Sequence, residues 1–423
     1  MRMLLDGVNY VLDLGPTVVL PIAMLLIGLF FRVPFSKALR SAITVGIGFV
    51  GVNLVIGLLS DNLGVAAAQM VERFGLQLNI VDAGWPAAAA AAWAQPVAAV
   101  MIPIVLILNI ALISLNWTKT LDIDIWNYWH FIAVAATAYI VTGGNWLVSI
   151  LLGVIYATIV LKLADYFAPM VQEFYGLEGI SLPTGSTVGF GLIGAPIGYL
   201  VSKIPVIKDI EVSPETIQKR FGIFGEPMIM GMVIGIVIGI LAGYDVGGVL
   251  QLGMSMGAVM LLMPRMVRIL MEGLIPISES ARDYMNKRYE GRELYLGLDA
   301  ALATGHPATL SVGLLLVPIT LLLAVILPGN RVLPFGDLAT IPFYMAYIVG
   351  SRKGNILHSV ITGTIVIALS LYMATNFAPV HTEMMQGLDQ FKELGNQITS
   401  LDTGGNFLKW VFLKISEFIA QFL

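Results

Sequence analysis

Long apolar runs, separated by short polar or Gly/Pro-rich stretches, make up most of this chain. The run from Val97 to Leu115 is broken only by Pro103, Asn109 and Ser114, and as a helix it can cross a hydrocarbon core of about 30 Å. Similar runs predict spans near 16–31, 42–59, 129–142, 146–163, 185–202, 227–243, 246–263, 308–327, 338–350 and 356–374. The chain is therefore expected to be an all-α polytopic membrane protein with roughly 10–12 transmembrane segments. Two apolar segments are too short to span. One runs from Asp82-Ala83-Gly84-Trp85-Pro86 through an alanine run to Trp93-Ala94-Gln95-Pro96, the other from Gly297-Leu298-Asp299 to Thr304-Gly305-His306-Pro307. Each is followed at once by a full-length span, which predicts a pair of re-entrant hairpins lining a binding site. Such backbone survives at membrane depth only where protein or water satisfies its polar groups.

The pattern also repeats. Phe167-Ala168-Pro169 with Glu173 returns 210 residues later as Phe377-Ala378-Pro379 with Glu383. Gly144-Asn145 returns as Gly354-Asn355 in the same register, and Gln95-Pro96 answers His306-Pro307 one residue out of it. The expected organisation is repeat one at about 16–169, a connector at 170–225, repeat two at about 226–379 and an amphipathic tail at 384–423. In that tail Phe407, Val411, Ile415, Phe418, Ile419 and Phe422 share one helical face, with Lys409, Glu417 and Gln421 elsewhere, and Lys409, Lys414 and Glu417 would interrupt a membrane span. This predicts a helix lying in the membrane interface, or one packed against a neighbouring subunit. Met1 to Asp13 reads as a short amphipathic helix with no cleavable signal peptide, and Ser213 to Phe221 as a charged cytoplasmic helix started by Ser213-Pro214.

Composition agrees with lipid burial: 57% of the 423 residues are hydrophobic and 12% charged, against about 25% charged in soluble domains. There are no cysteines, which excludes disulfides, thiolate metal sites and a covalent cysteine intermediate on this chain. Arg32, Lys37 and Arg40 follow the first span and mark a cytoplasmic loop. In the second copy the charges reverse. Lys203, Lys208, Lys219 and Arg220 precede the equivalent span, and Arg265, Arg268, Arg282, Lys287, Arg288 and Arg292 follow the next one. Two repeats of opposite topology are expected, an architecture that supports alternating access.

Ionisable and amide side chains at membrane depth are costly and so are candidates for a site. The first hairpin offers Asp82, Trp85, Trp93 and Gln95. The stretch before the next span offers Asp122, Asp124, Asn127 and His130. Glu226 opens the first span of repeat two, and the second hairpin offers Asp299 and His306. These types suit a neutral polyol, whose hydroxyls pair with carboxylate, amide and imidazole while a Trp face covers its C–H surface. Other roles stay open at this point. Asp82 and Asp122 can be wetted span ends, the Trp residues near 117–129 an interfacial belt, and His130 a packing residue. Glu226 can be a cap on its helix dipole. His358 and His381 read as structural or solvated. No phosphate loop, HExxH, nucleophile elbow or nucleic-acid patch occurs, and no cofactor is called for.

Val81-Asp82-Ala83-Gly84-Trp85-Pro86, Asp124-Ile125-Trp126-Asn127 with Trp129-His130, Phe224-Gly225-Glu226-Pro227, Gly297-Leu298-Asp299, Gly305-His306 and Leu333-Pro334-Phe335-Gly336-Asp337-Leu338-Ala339-Thr340 resemble the galactitol-specific enzyme IIC of the bacterial phosphoenolpyruvate-dependent sugar phosphotransferase system. More remotely, the chain is similar to the ascorbate transporter of that system. The resemblance spans about residues 10–383, departing in the long tail and in the alanines Ala87 to Ala92. It implies a homodimeric elevator in the bacterial inner membrane, with a core sliding past a dimerisation scaffold. It also implies a separate enzyme IIB whose phosphocysteine phosphorylates the sugar, supplied by enzyme IIA. Substrate-binding residues are then expected among Asp82, Trp85, Gln95, Asp124, Asn127, His130, Glu226, Asp299 and His306. The competing expectations are an ion-coupled transporter using Asp82, Asp124, Glu226 and Asp299, and an intramembrane enzyme using His306 and Glu226.

Overall fold

The computed structural model describes residues 16–59, 61–62, 65–75, 78–212, 227–288, 293–334, 336–385 and 397–423. The helices expected at Met1–Asp13 and Ser213–Phe221, and Glu226 itself, lie outside the described residues. The first series of elements is α1 (Pro16–Phe30), α2 (Phe35–Leu59), α3 (Val65–Arg73), β1 (Ile80–Asp82), α4 (Gly84–Trp93), α5 (Ala98–Ser114), β2 (Thr120–Asp122), a 3-10 turn at Ile125–Asn127, α6 (Tyr128–Val141), α7 (Trp146–Tyr175), β3 (Ile180–Ser181) and α8 (Gly185–Val201). A similar order follows: α9 (Pro227–Ala242), α10 (Val246–Arg288), β4 (Tyr295–Gly297), α11 (Ala301–Thr304), α12 (Pro307–Ile326), β5 (Val332–Leu333), a 3-10 turn at Leu338–Thr340, α13 (Ile341–Ser351), α14 (Ile356–Met385), β6 (Gln397–Thr399), α15 (Leu401–Gly404) and α16 (Phe407–Ala420).

The molecule is thus mostly helical. Three of its described helices, α7, α12 and α14, are long and apolar enough to cross a membrane by length and composition. The repeated Gly-Asn pair explains how α7 and α14 start. Gly144 and Gly354 adopt φ of 91° and 78°, a conformation that favours glycine. The following Asn145 and Asn355 accept the backbone N–H of Val148 at 3.1 Å and of His358 at 3.2 Å, each capping its helix N-terminus.

The helices α1, α2, α9 and α10 pack on one another. Their contacts depend on small residues: a methyl group on Gly235 would lie 2.7 Å from the Leu252 carbonyl oxygen, so α9 and α10 meet backbone to backbone. The remaining helices surround two small parallel sheets, ordered β5-β1-β6 and β2-β4-β3. In each, a hairpin strand of one series lies between two strands of the other. Neither series can complete a sheet by itself.

The tail is not a peripheral helix. The helix α16 packs on α6 and α8 of the same chain, and Leu408, Lys409, Phe412, Leu413 and Ser416 are buried. Lys409, which the sequence sets off the apolar face, is 1% exposed, so the side of α16 opposite Phe407, Val411 and Phe418 is the buried one.

Candidate functional site

Carboxylates close the strand ends. Asp82, at the end of β1, accepts the N–H groups of Gly84 (3.1 Å), Leu401 (3.2 Å) and Asp337 (2.9 Å). Asp337 in turn accepts from Trp85 N–H (2.7 Å), Asp402 N–H (2.9 Å) and the Ser400 hydroxyl (2.7 Å). These two side chains tie together the turns after β1, β5 and β6, and orient the starts of α4 and α15. At the other sheet, Asn127 donates to Asp122 at 3.2 Å, and its amide oxygen accepts from the Thr184 hydroxyl at 3.0 Å. The same hydroxyl accepts Ala300 N–H at 2.8 Å. Asp124 accepts Trp126 N–H at 3.0 Å, and Asp299 accepts Ala301 N–H at 2.7 Å. Backbone N–H groups and helix starts face Asp82, Asp337, Asp124 and Asp299 and make their burial tolerable, whereas Asp122 keeps one buried oxygen with no hydrogen-bond partner.

Between these sets lies an ionic and aromatic centre. The Lys409 ammonium donates to Asp402 at 2.9 Å and lies 3.0 Å from His130 Nδ1. It also sits 4.5 Å from the centroid of the Trp129 ring, a cation–π arrangement in a dry environment. Ser186, in the first turn of α8, donates its hydroxyl to the other Asp402 oxygen. Trp129 lies against His130 with ring centroids 3.9 Å apart, and Trp85 of the first hairpin meets Trp126 at 5.7 Å and Trp129 at 6.4 Å. Trp85 is half-buried and forms the accessible edge of the cluster. The Tyr156 hydroxyl is buried without a hydrogen-bond partner, and a methyl group on Gly185 would meet both it (2.8 Å) and the His130 side chain (2.6 Å). Aromatic faces, an ammonium, a carboxylate and a spare hydroxyl together can hold a polyhydroxylated ligand.

The structure therefore brings together Trp85 and His130 of the expected residues, with Trp129 between them. Asp82, Asp124, Asn127 and Asp299 hold the turns on which that group is mounted. Gln95 is half-buried in the turn after α4, where its backbone N–H bonds to Ala92. His306 is half-buried, caps α12 by accepting Ala308 N–H at 3.2 Å, and packs on Phe174 and Tyr175. Sequence reasoning did not single out Lys409, Asp402, Ser186 and Tyr156, which the fold brings to this centre, or Asp337, which anchors the turns beside it. Lys409 carried a usable signal, a cation at helical spacing among Leu408, Phe412 and Leu413. Asp402 had none, since its place depends on β6 pairing with β1. His358, bonded to the Ile207 carbonyl at 2.9 Å, and His381, against Thr399 at 3.2 Å, are both buried rather than solvated.

Comparison with known proteins decides the family. A family described as "PTS system sugar-specific permease component" matches residues 10–392. The chain belongs to this family. It is 41% identical over 410 residues to the "PTS system galactitol-specific EIIC component" of Escherichia coli strain K12, an alignment covering 97% of this chain and 90% of that protein. The relative of the same description from Escherichia coli O157:H7 matches equally well. A "putative permease IIC component" of strain K12 is 42% identical over 417 residues, 97% of this chain and 93% of its own length. As a permease component of the sugar phosphotransferase system, the chain is a transport subunit.

Proposed function

We propose that this chain carries galactitol, or a closely related hexitol, inward across a bacterial inner membrane for phosphorylation by a separate enzyme IIB. The observation that carries this reading is the Trp85–Trp129–His130–Asp402–Lys409 centre. It offers stacking faces and directional polar groups of both kinds, donor and acceptor, at the junction of the two strand sets. Tyr156 adds a hydroxyl with hydrogen-bonding capacity to spare. The high identity to galactitol-specific relatives supports the hexitol. The absence of cysteine from the chain fits a phosphocysteine on another protein, itself charged by enzyme IIA.

The transport step is an elevator. The bundle α1, α2, α9 and α10 serves as scaffold and homodimer contact, and the sheets with their surrounding helices move as the core. Opposite topology of the two series supports this. The turn that opens α14 carries Arg352 and Lys353, while the turn that opens α7, Thr142 to Asn145, carries no charge, so the positive-inside rule puts the two helix starts on opposite sides. His306, Gln95, Asp124, Asn127 and Asp299 act at the hairpins and turns that close around the substrate, Asp82 holds the first hairpin in place, and Glu226, which opens the first span of repeat two in the sequence, is a further substrate contact.

The test is the chemical state of labelled galactitol taken up by vesicles containing the chain. Galactitol phosphate that forms only with the carrier proteins and phosphoenolpyruvate is the expected result. Free galactitol accumulating with an ion gradient would overturn it.

A further inference from the structure

A cavity of about 1170 Å³ lies apart from the buried centre, between α7, α8 and the end of α13. Its wall is apolar, with Leu163, Phe167, Met170, Leu192, Ala195 and Pro196 along it. One end is basic. Arg352 and Lys353 line it, Tyr199 stands beside them, and the Arg352 and Lys203 cations lie 6.0 and 5.1 Å from the Tyr199 ring centroid. Arg352 uses one terminal nitrogen on the Gly198 carbonyl (3.3 Å) and the Ser202 hydroxyl (3.0 Å), yet its Nε has no hydrogen-bond partner. Lys353 and Lys203 are exposed. Among the described lining residues Glu173 is the one acidic side chain, against Arg352 and Lys353.

The segment 203–212 packs on 352–358, with Asn355 donating to the Ile210 carbonyl at 2.9 Å. Lys203, Lys208, Arg352 and Lys353 thus lie at one end of the helices, with Asp209 paired to Lys208 at 3.8 Å and Glu211 nearby in sequence, and the positive-inside rule, which counts Lys and Arg, makes this end cytoplasmic. Tyr166 and Tyr199, both more than half exposed, suit the headgroup level of a membrane.

We propose that this groove is a binding site for an anionic phospholipid of the cytoplasmic leaflet, its phosphate held by Arg352, Lys353 and Lys203 and its acyl chain lying between α7 and α8. Basic pockets between membrane helices on this side recognise anionic headgroups, and the apolar wall gives the chain a surface that a soluble anion would not use.

The proposal is independent of which sugar is carried. It is tested on the full chain by native mass spectrometry from detergent, with phosphatidylglycerol, phosphatidylcholine or inorganic phosphate added. One phosphatidylglycerol is expected to stay bound under activation that strips phosphatidylcholine. Retention should fall roughly 10- to 30-fold in Lys203→Gln/Lys353→Gln, as the loss of two cation–phosphate contacts predicts. Both residues are exposed, so the double variant should fold. Ala195→Phe, which fills the groove but leaves every charge, should also abolish retention. Equal retention of the two lipids, or retention unchanged in either variant, would overturn the site. Competition by millimolar inorganic phosphate would make it a free-anion site and equally overturn the lipid reading. So would a carrier protein that binds this face while no lipid does.

Discussion

Lys409 is the residue with most at stake. Its ammonium is buried against Asp402, His130 and the Trp129 face, so Lys409→Met leaves a carboxylate unpaired and should cost about 3–5 kcal/mol of stability. Adding Asp402→Asn removes that charge, and the double variant should regain much of the loss in melting temperature. If the pair also touches substrate, galactitol binding stays lost in the double variant. Restored stability with restored binding would make the pair purely structural. A second residue-scale expectation concerns the first hairpin. Gly84 has φ +81°, and a Cβ there would lie 2.9 Å from the carbonyl carbon and oxygen of Gly336. Gly84→Ala therefore combines left-handed strain with a backbone collision and should cost more than about 2 kcal/mol. A melting temperature within a degree of wild type would contradict this close approach. His130 and Trp85 could be picked from the sequence because polar or aromatic residues at membrane depth are conspicuous. Asp337 could not, because its acceptor role depends on N–H groups of residues 85 and 402, distant in sequence.

Among the elements, the interleaved strands make the strongest demand. The strand β1 is flanked by β5 and β6 of the second series, and β4 by β2 and β3 of the first. A fragment of residues 1–212 cannot close either sheet, so its carboxylate-capped turns would be left with unpaired groups in a low-dielectric setting. Expressed alone, it should give no monodisperse species with cooperative melting, and co-expression with 213–423 should recover one. A well-behaved 1–212 fragment would mean that the strand exchange is dispensable. The helical runs were readable because apolar length and the Gly-Asn repeat are local signals. The strands were not, since two or three residues carry no readable alternation and their partners lie on the other series. The same long-range pairing brings α16 into the core, which no feature of its amphipathic pattern distinguishes from a helix on a membrane surface.

At the scale of the whole molecule, the proposed elevator would require the second hairpin to face each side of the membrane in turn. The cysteine-free chain makes this directly measurable, because any introduced thiol is the sole one. Gly305 is suited to it: its φ is −71°, and a Cβ there meets no atom within 4 Å, so Gly305→Cys should fold and transport. Under an elevator mechanism the thiol should react with a membrane-impermeant reagent in both right-side-out and inside-out vesicles, and galactitol should slow the reaction in each. A ligand favours whichever state it binds better, and shifts the balance only by that difference in affinity. Unequal slowing in the two vesicle types would therefore report which side the loaded carrier faces. Labelling from one side alone, in a variant that still transports, would confine this hairpin to a fixed position. The moving part would then have to be sought elsewhere, with the first hairpin and its Trp85 the next candidate.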